Sequence, residues 1–236
     1  MITRVAAVAA WLFAGHAALV LLYWLLLQIP ESNAWMIASS LLVLLAAVWL
    51  AGLVEMAALL ALGADGPMRN AMAPALRRAW LIVLPAALFA AVWWLTGEAA
   101  AWHARYRGQI DAEVIAQTGW TRTAWLHAAA DWIAVVARWV FGTSLAAALA
   151  AALAREGWRG LHPRWARRGL RWRPLAATAA AMAIGVELPW RAALWRPAFL
   201  PPNWIEAAFA AIKLLVLFAV AQFAWALVLR SAARQR

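Results

Sequence analysis

The sequence contains no cysteine. Disulfide scaffolds, thiolate nucleophiles and cysteine-ligated metals are thereby excluded, and the redox compartment leaves no mark on the chain. Charge is scarce too: 13% of the 236 residues are Asp, Glu, Lys or Arg, against roughly 25% in soluble domains. Lysine occurs once, as Lys213, and every other basic residue is arginine. Neither a Gly-x-Ser-x-Gly-like element nor a His-Glu-x-x-His element is present, which removes the usual intramembrane serine and zinc peptidase chemistries. Of the four histidines, His16 falls in mid-span, His162 in a basic loop, and His103 and His127 in or beside an outer segment. No two therefore share a depth suited to bis-histidine haem. The outer set His103, His127 and Asp131 lacks a diagnostic zinc spacing. No cofactor is expected, and no enzyme signal emerges.

Apolar residues are what the chain has instead. They make up 67% of it, against roughly 45–50% in soluble domains, and mean hydropathy is +0.74. A disordered chain and an ordinary cytosolic enzyme are both ruled out. The apolar residues fall into six runs, at about 5–29, 36–63, 79–96, 124–153, 174–190 and 205–229, long enough to cross a bilayer core of about 30 Å. The expected fold is all-α: a single polytopic transmembrane domain over 1–236, with six helices and a long helix in span four. The run at 174–190 is the weakest, being alanine-rich and carrying Glu187.

Orientation follows from arginine. With the N-terminus inside, the inner segments hold Arg4, Arg69, Arg77 and Arg78, seven arginines in 155–173, and Arg230, Arg234 and Arg236. The outer segments hold only Arg105, Arg107, Arg122, Arg191 and Arg196. Both termini are therefore expected to be cytoplasmic. The net charge of +11 then belongs to loops that meet anionic headgroups rather than to nucleic acid. Arginine in place of lysine, with heavy alanine use, suggests a bacterial source and so the bacterial inner membrane. Most of the 19 tryptophans, Trp11, Trp24, Trp93, Trp190 and Trp225 among them, read as an interfacial belt.

Two connections are long. The outer one, 97–123, contains a polar helix-like stretch at Gln109–Thr118. The inner one, 154–173, spaces Trp158, Trp165 and Trp172 seven apart among Arg164, Arg167, Arg168 and Arg171. That pattern reads as a segment lying on the anionic inner leaflet, although Gly160, Pro163 and Gly169 oppose one unbroken helix. A Pro-rich outer turn (Pro197, Pro201, Pro202) precedes the last span.

The stretch from Thr121 to Asp131, TRTAWLHAAAD, sets an arginine before a His and Asp four apart. It departs from the lipid-phosphatase signature: the Arg–His gap is one residue short, and no Pro-Ser-Gly-His or lysine element accompanies it. His127 and Asp131 remain an i,i+4 pair on one helical face.

Charges within spans are costly and face a bundle interior or a wet cavity. Spans four and six each carry an acid followed seven residues later by a cation, Asp131/Arg138 and Glu206/Lys213, while Glu187 and Arg191 lie in and just beyond span five. Three acids balanced by three cations in the outer half of spans four to six read as a salt-bridge lock or as a polar site. Glu55 stands apart in span two with no cation at its depth, so it is expected to be protonated or to face water. Val54-Glu55 and Val186-Glu187 match at an offset that superposes spans one to three on four to six, a thin sign of an inverted repeat. The expected function is a small transporter or permease-type protein with its polar site among these charges. The alternative is a non-enzymatic membrane subunit, in a homo-oligomer or a larger complex, whose charges are structural.

Overall fold

Runs of Ala, Leu, Val and Ile offer the backbone no side-chain hydrogen bonds. Away from water such a segment satisfies its own amides and carbonyls only as a helix. A computed structural model describes residues 2–30, 32–63, 67–195 and 204–234, and every regular element among them is helical, as expected. The elements are α1 (Ile2–Gln28), α2 (Ala34–Gly63), α3 (Met68–Arg78), α4 (Val83–Thr118), α5 (Ala124–Val136), α6 (Thr143–Glu156), α7 (Arg164–Gly169), α8 (Trp172–Met182), α9 (Leu188–Leu194) and α10 (Trp204–Ala233). The turn Pro197, Pro201 and Pro202 lies outside the described residues, as do Arg196 and Arg236.

Five stretches are long and apolar enough to cross a membrane: Thr3–Gln28, Ala34–Gly63, Met68–Thr118, Ala124–Leu161 and Trp204–Ala233. The run at 174–190 is not among them. It belongs to a helical stretch in which α8, a π-helical turn (Ala183–Glu187) and α9 follow directly, and Arg173, Glu187 and Arg191 dilute its apolar character. A second π turn, Ala137–Gly142, joins α5 to α6. Helix α4 does not stop at residue 96 but runs on to Thr118, 36 residues in all. That is about 54 Å at 1.5 Å per residue, well beyond a hydrocarbon core of about 30 Å. The polar stretch at 109–118 is thus its last turns. Gly119 ends it in the left-handed region at φ 71°, its N–H bonded to the Ile115 carbonyl at 2.9 Å, the backbone state glycine reaches without a Cβ clash.

Packing is one-sided. The buried core is drawn from Leu53–Leu62 in α2, Ala147–Ala154 in α6 and Ala224–Ala233 in α10, with Ala71, Ala75 and Ala79 beneath them. Val5, Val8 and Leu12 of α1 join this core; the other halves of α1, α2 and α10, and α5 ahead of α6, expose large apolar side chains such as Leu21, Leu45, Leu215 and Ile133. Arginine fastens the packed end: Arg78 donates to the carbonyls of Ala154 and Arg155, the latter at 2.9 Å, and Arg155 donates to that of Ala233 at 2.9 Å. These carbonyls end α6 and α10, where helix termini leave acceptors unmet. We call this the basic end.

The loop at 154–173 does not place its three indoles on one face. Gly157 turns it at φ 60°, and a 3-10 turn (Gly157–Leu161) and the short α7 follow. Trp165 packs on the core, whereas Trp158 and Trp172 are exposed, Trp158 edge-on to Trp80 at 4.8 Å. Arg164, Arg167 and Arg171 are exposed and Arg168 is half-buried. The Ser144 hydroxyl donates to the Gly169 carbonyl at 2.7 Å, holding α7 against α6.

Candidate functional site

Three contacts in succession set α1 against α2. The Trp11 indole N–H donates to the Val54 carbonyl at 3.0 Å. A Cβ on Gly15 would fall 2.4 Å from Val54 Cγ2, so only glycine admits this approach. One residue on, His16 meets Glu55, with Nε2 3.2 Å from Oε1. Helix α10 closes the group from the third side. Gln222 Oε1 lies 2.6 Å from His16 Nδ1, and the Trp225 indole N–H donates to Glu55 Oε1 at 2.8 Å. Glycine works here again: a Cβ on Gly185, in the π turn before α9, would sit 2.7 Å from the Ala224 Cβ, which lets that turn seat against α10 beside the cluster.

The protons of this group have two self-consistent arrangements. With Gln222 accepting, His16 Nδ1 carries a hydrogen. If Nε2 carries one as well, an imidazolium faces a carboxylate; if it does not, a neutral imidazole faces a carboxylic acid. Glu55 Oε2 is buried and has no hydrogen-bond partner among the described residues. Its side chain is 14% exposed and that of His16 24%.

Two cavities meet at Glu55. One of about 290 Å³ is lined by His16, Glu55, Gly185, Gln222 and Trp225. The other, of about 370 Å³, is lined by Phe89 of α4, Trp139 and Thr143 at the first π turn, Leu229 of α10, and again Glu55 and Trp225. Both π turns therefore contribute to a wall of a cavity, as such bulges often do at functional sites.

The charges of spans four to six are placed differently from Glu55, each with its own neighbours. Arg138 Nε donates to Thr96 Oγ1 at 3.2 Å, and its guanidinium lies 4.3 Å from the Trp93 ring centroid; α4 rather than Asp131 receives it. Asp131 is exposed. Glu187 and Arg191 pair with each other at 2.7 Å on an exposed surface, where such a pair is worth about 0–1 kcal/mol. Glu187 thus differs from its apparent counterpart Glu55, which weakens the repeat. The Lys213 ammonium donates to the carbonyls of Ala193 and Trp195 at 2.8 and 2.9 Å, capping the end of α9. Glu206 is half-buried in the first turn of α10. His127 is buried and turns to α4 instead of Asp131: Nε2 is 2.6 Å from Asp111 Oδ1, and Nδ1 is 3.1 Å from His103 Nε2. Among the described residues no group of three or more His, Cys, Asp or Glu could hold a metal ion.

Of the residues marked in the sequence, only Glu55 enters the buried group. His16, Gln222 and Trp225 went unmarked as site residues. The available signal was depth: His16, Glu55 and Gln222 all lie roughly two to four turns in from the basic end. Fold and site together define a multi-helix protein, compatible with residence in a membrane, that keeps a carboxylate–imidazole pair in its interior. The chain matches no protein-family model, no curated protein and no solved structure.

Proposed function

We propose that the chain is a small transporter or permease-type protein of the bacterial inner membrane, a single domain of six spans with both termini cytoplasmic. Its working group is the Glu55–His16 pair, served by Gln222 and Trp225. The observation that carries this reading is a half-buried carboxylate–imidazole pair whose Glu55 lines two cavities, whose His16 lines one of them, and which leaves one carboxylate oxygen unpartnered among the described residues. A purely structural pair has no need of adjoining space. An acid and a base side by side can take up or give up a proton to a ligand or to water, and a transporter needs states that bind and release. The arginine bias supports the orientation, with 155–173 and the C-terminus inside.

The test is proton entry into liposomes holding a pH-sensitive dye, after reconstitution of the full chain and an imposed gradient. Entry above that of empty liposomes, abolished by Glu55→Gln at unchanged helicity, is the expected result. Flux equal in wild type and Glu55→Gln overturns the reading. Absence of flux from the wild type, with stability recovered on joint replacement of Glu55 and His16, assigns the pair to bracing and the chain to the membrane-subunit class.

A further inference from the structure

At the basic end another cavity, of about 830 Å³, opens between the start of α8 and the last turns of α10. Arg171, Arg173 and Arg234 stand around it with Trp172 and Ser231, and no acidic side chain among the described residues lines it. The guanidiniums of Arg171 and Arg173 repel one another unless an anion lies between them. Arg171 and Arg173 make no side-chain hydrogen bond or ion pair with the described residues. The Arg173 guanidinium lies only beside the Trp172 ring, 5.5 Å from its centroid. The remaining lining, Pro174 and Ala177, is apolar. Cationic rim and apolar floor occur together where two apolar helices end, beside an indole that is 72% exposed.

We infer that this cavity binds the phosphate headgroup of one anionic phospholipid. Guanidinium forks match phosphate oxygens two at a time, the Ser231 hydroxyl donates one further hydrogen bond, and the glycerol and upper acyl chain lie against Pro174 and Ala177. A soluble phosphate uses the rim alone; the apolar floor and the exposed indole select the lipid. The site is remote from Glu55 and does not depend on transport.

The full chain in neutral detergent is titrated with phosphatidylglycerol, phosphatidylcholine, glycerol 3-phosphate and inorganic phosphate, with bound molecules counted by native mass spectrometry. One phosphatidylglycerol per chain is expected at concentrations where phosphatidylcholine does not bind. Joint replacement of Arg171, Arg173 and Arg234 by Gln lowers that affinity about tenfold or more, as loss of charge-assisted pairs implies. Joint replacement of Arg105, Arg107 and Arg122 by Gln, in and just beyond the last turns of α4, removes the same number of charges, leaves binding unchanged and so controls for net charge. Should the triple variant fail to fold, Arg171→Gln and Arg173→Gln singly, at exposed positions, each weaken binding about threefold. Undiminished phosphatidylglycerol binding in the triple variant, or in both single ones, overturns the site. Equal binding of phosphatidylcholine overturns headgroup recognition, and glycerol 3-phosphate or inorganic phosphate binding as tightly as the lipid overturns the lipid assignment.

Discussion

At the residue scale, the behaviour of Arg138 and Lys213 is decided by the nearest acceptor rather than by an opposite charge along the chain, although Glu187 and Arg191 do pair one turn apart. The spacing of seven pairs Lys213 and Arg138 with acids, yet Lys213 meets two backbone carbonyls and Arg138 meets a threonine and an indole. Neutral acceptors are everywhere in a helical protein, and counting charges does not register them. The same blindness hid Gln222, which is uncharged and 206 residues from His16. Glu55 was legible because a carboxylate without a cation at its depth demands a partner. His16→Ala leaves that carboxylate without its imidazole and is expected to destabilise the protein by about 2–3 kcal/mol, less than the 3–5 typical of a fully buried broken pair. The double change His16→Ala with Glu55→Gln recovers more than half, read by thermal unfolding in detergent. No recovery would mean that the two side chains are energetically independent. Lys213→Met, which removes two donors from the end of α9, costs about 1–2 kcal/mol by the same measurement. A cost near zero counts against the cap.

The helix is the scale at which the sequence was most legible, because apolar runs announce helices whatever their neighbours are. Boundaries were less so. Helix α4 continues to Thr118 where a break at residue 96 was expected, since polar residues such as Arg105 and Gln109 are good helix formers once water is available. The π turns left no mark in the pattern at all, as a bulge changes register without changing composition. Two glycines separate packing from propensity. Gly15 lies against the buried Val54, so Gly15→Ala forces α1 away from α2 and costs about 1–3 kcal/mol, the usual toll of overpacking. Gly108 sits within α4, and no neighbouring atom comes within 4 Å of the place an alanine methyl would take. Gly108→Ala therefore stabilises by about 0.5–1 kcal/mol through helix propensity alone. Thermal unfolding of both variants decides the matter: equal effects would show that the α1–α2 approach is not tight.

For the whole molecule, the class of fold was readable from composition, but the uneven distribution of its packing was not. Alanine serves equally well in a core and on a lipid face, so Ala147–Ala154 carried no sign that it is the most buried stretch of the fourth run. Topology reporters give the orientation directly. One fused near residue 115 is expected to read periplasmic and one near 165 cytoplasmic, as the arginine distribution requires; both on one side would discard the six-span arrangement. Tight packing at the basic end and exposed apolar flanks at the other have a consequence for the surrounding lipid. The two leaflets meet different perimeters, and any spreading of the looser end changes the area occupied in one leaflet while leaving the other nearly constant. In a bilayer, squeezing the monolayer beside the looser end opposes any such spreading, whereas squeezing the other does little. Lysolipid added to only one side of a vesicle acts as such a one-sided squeeze.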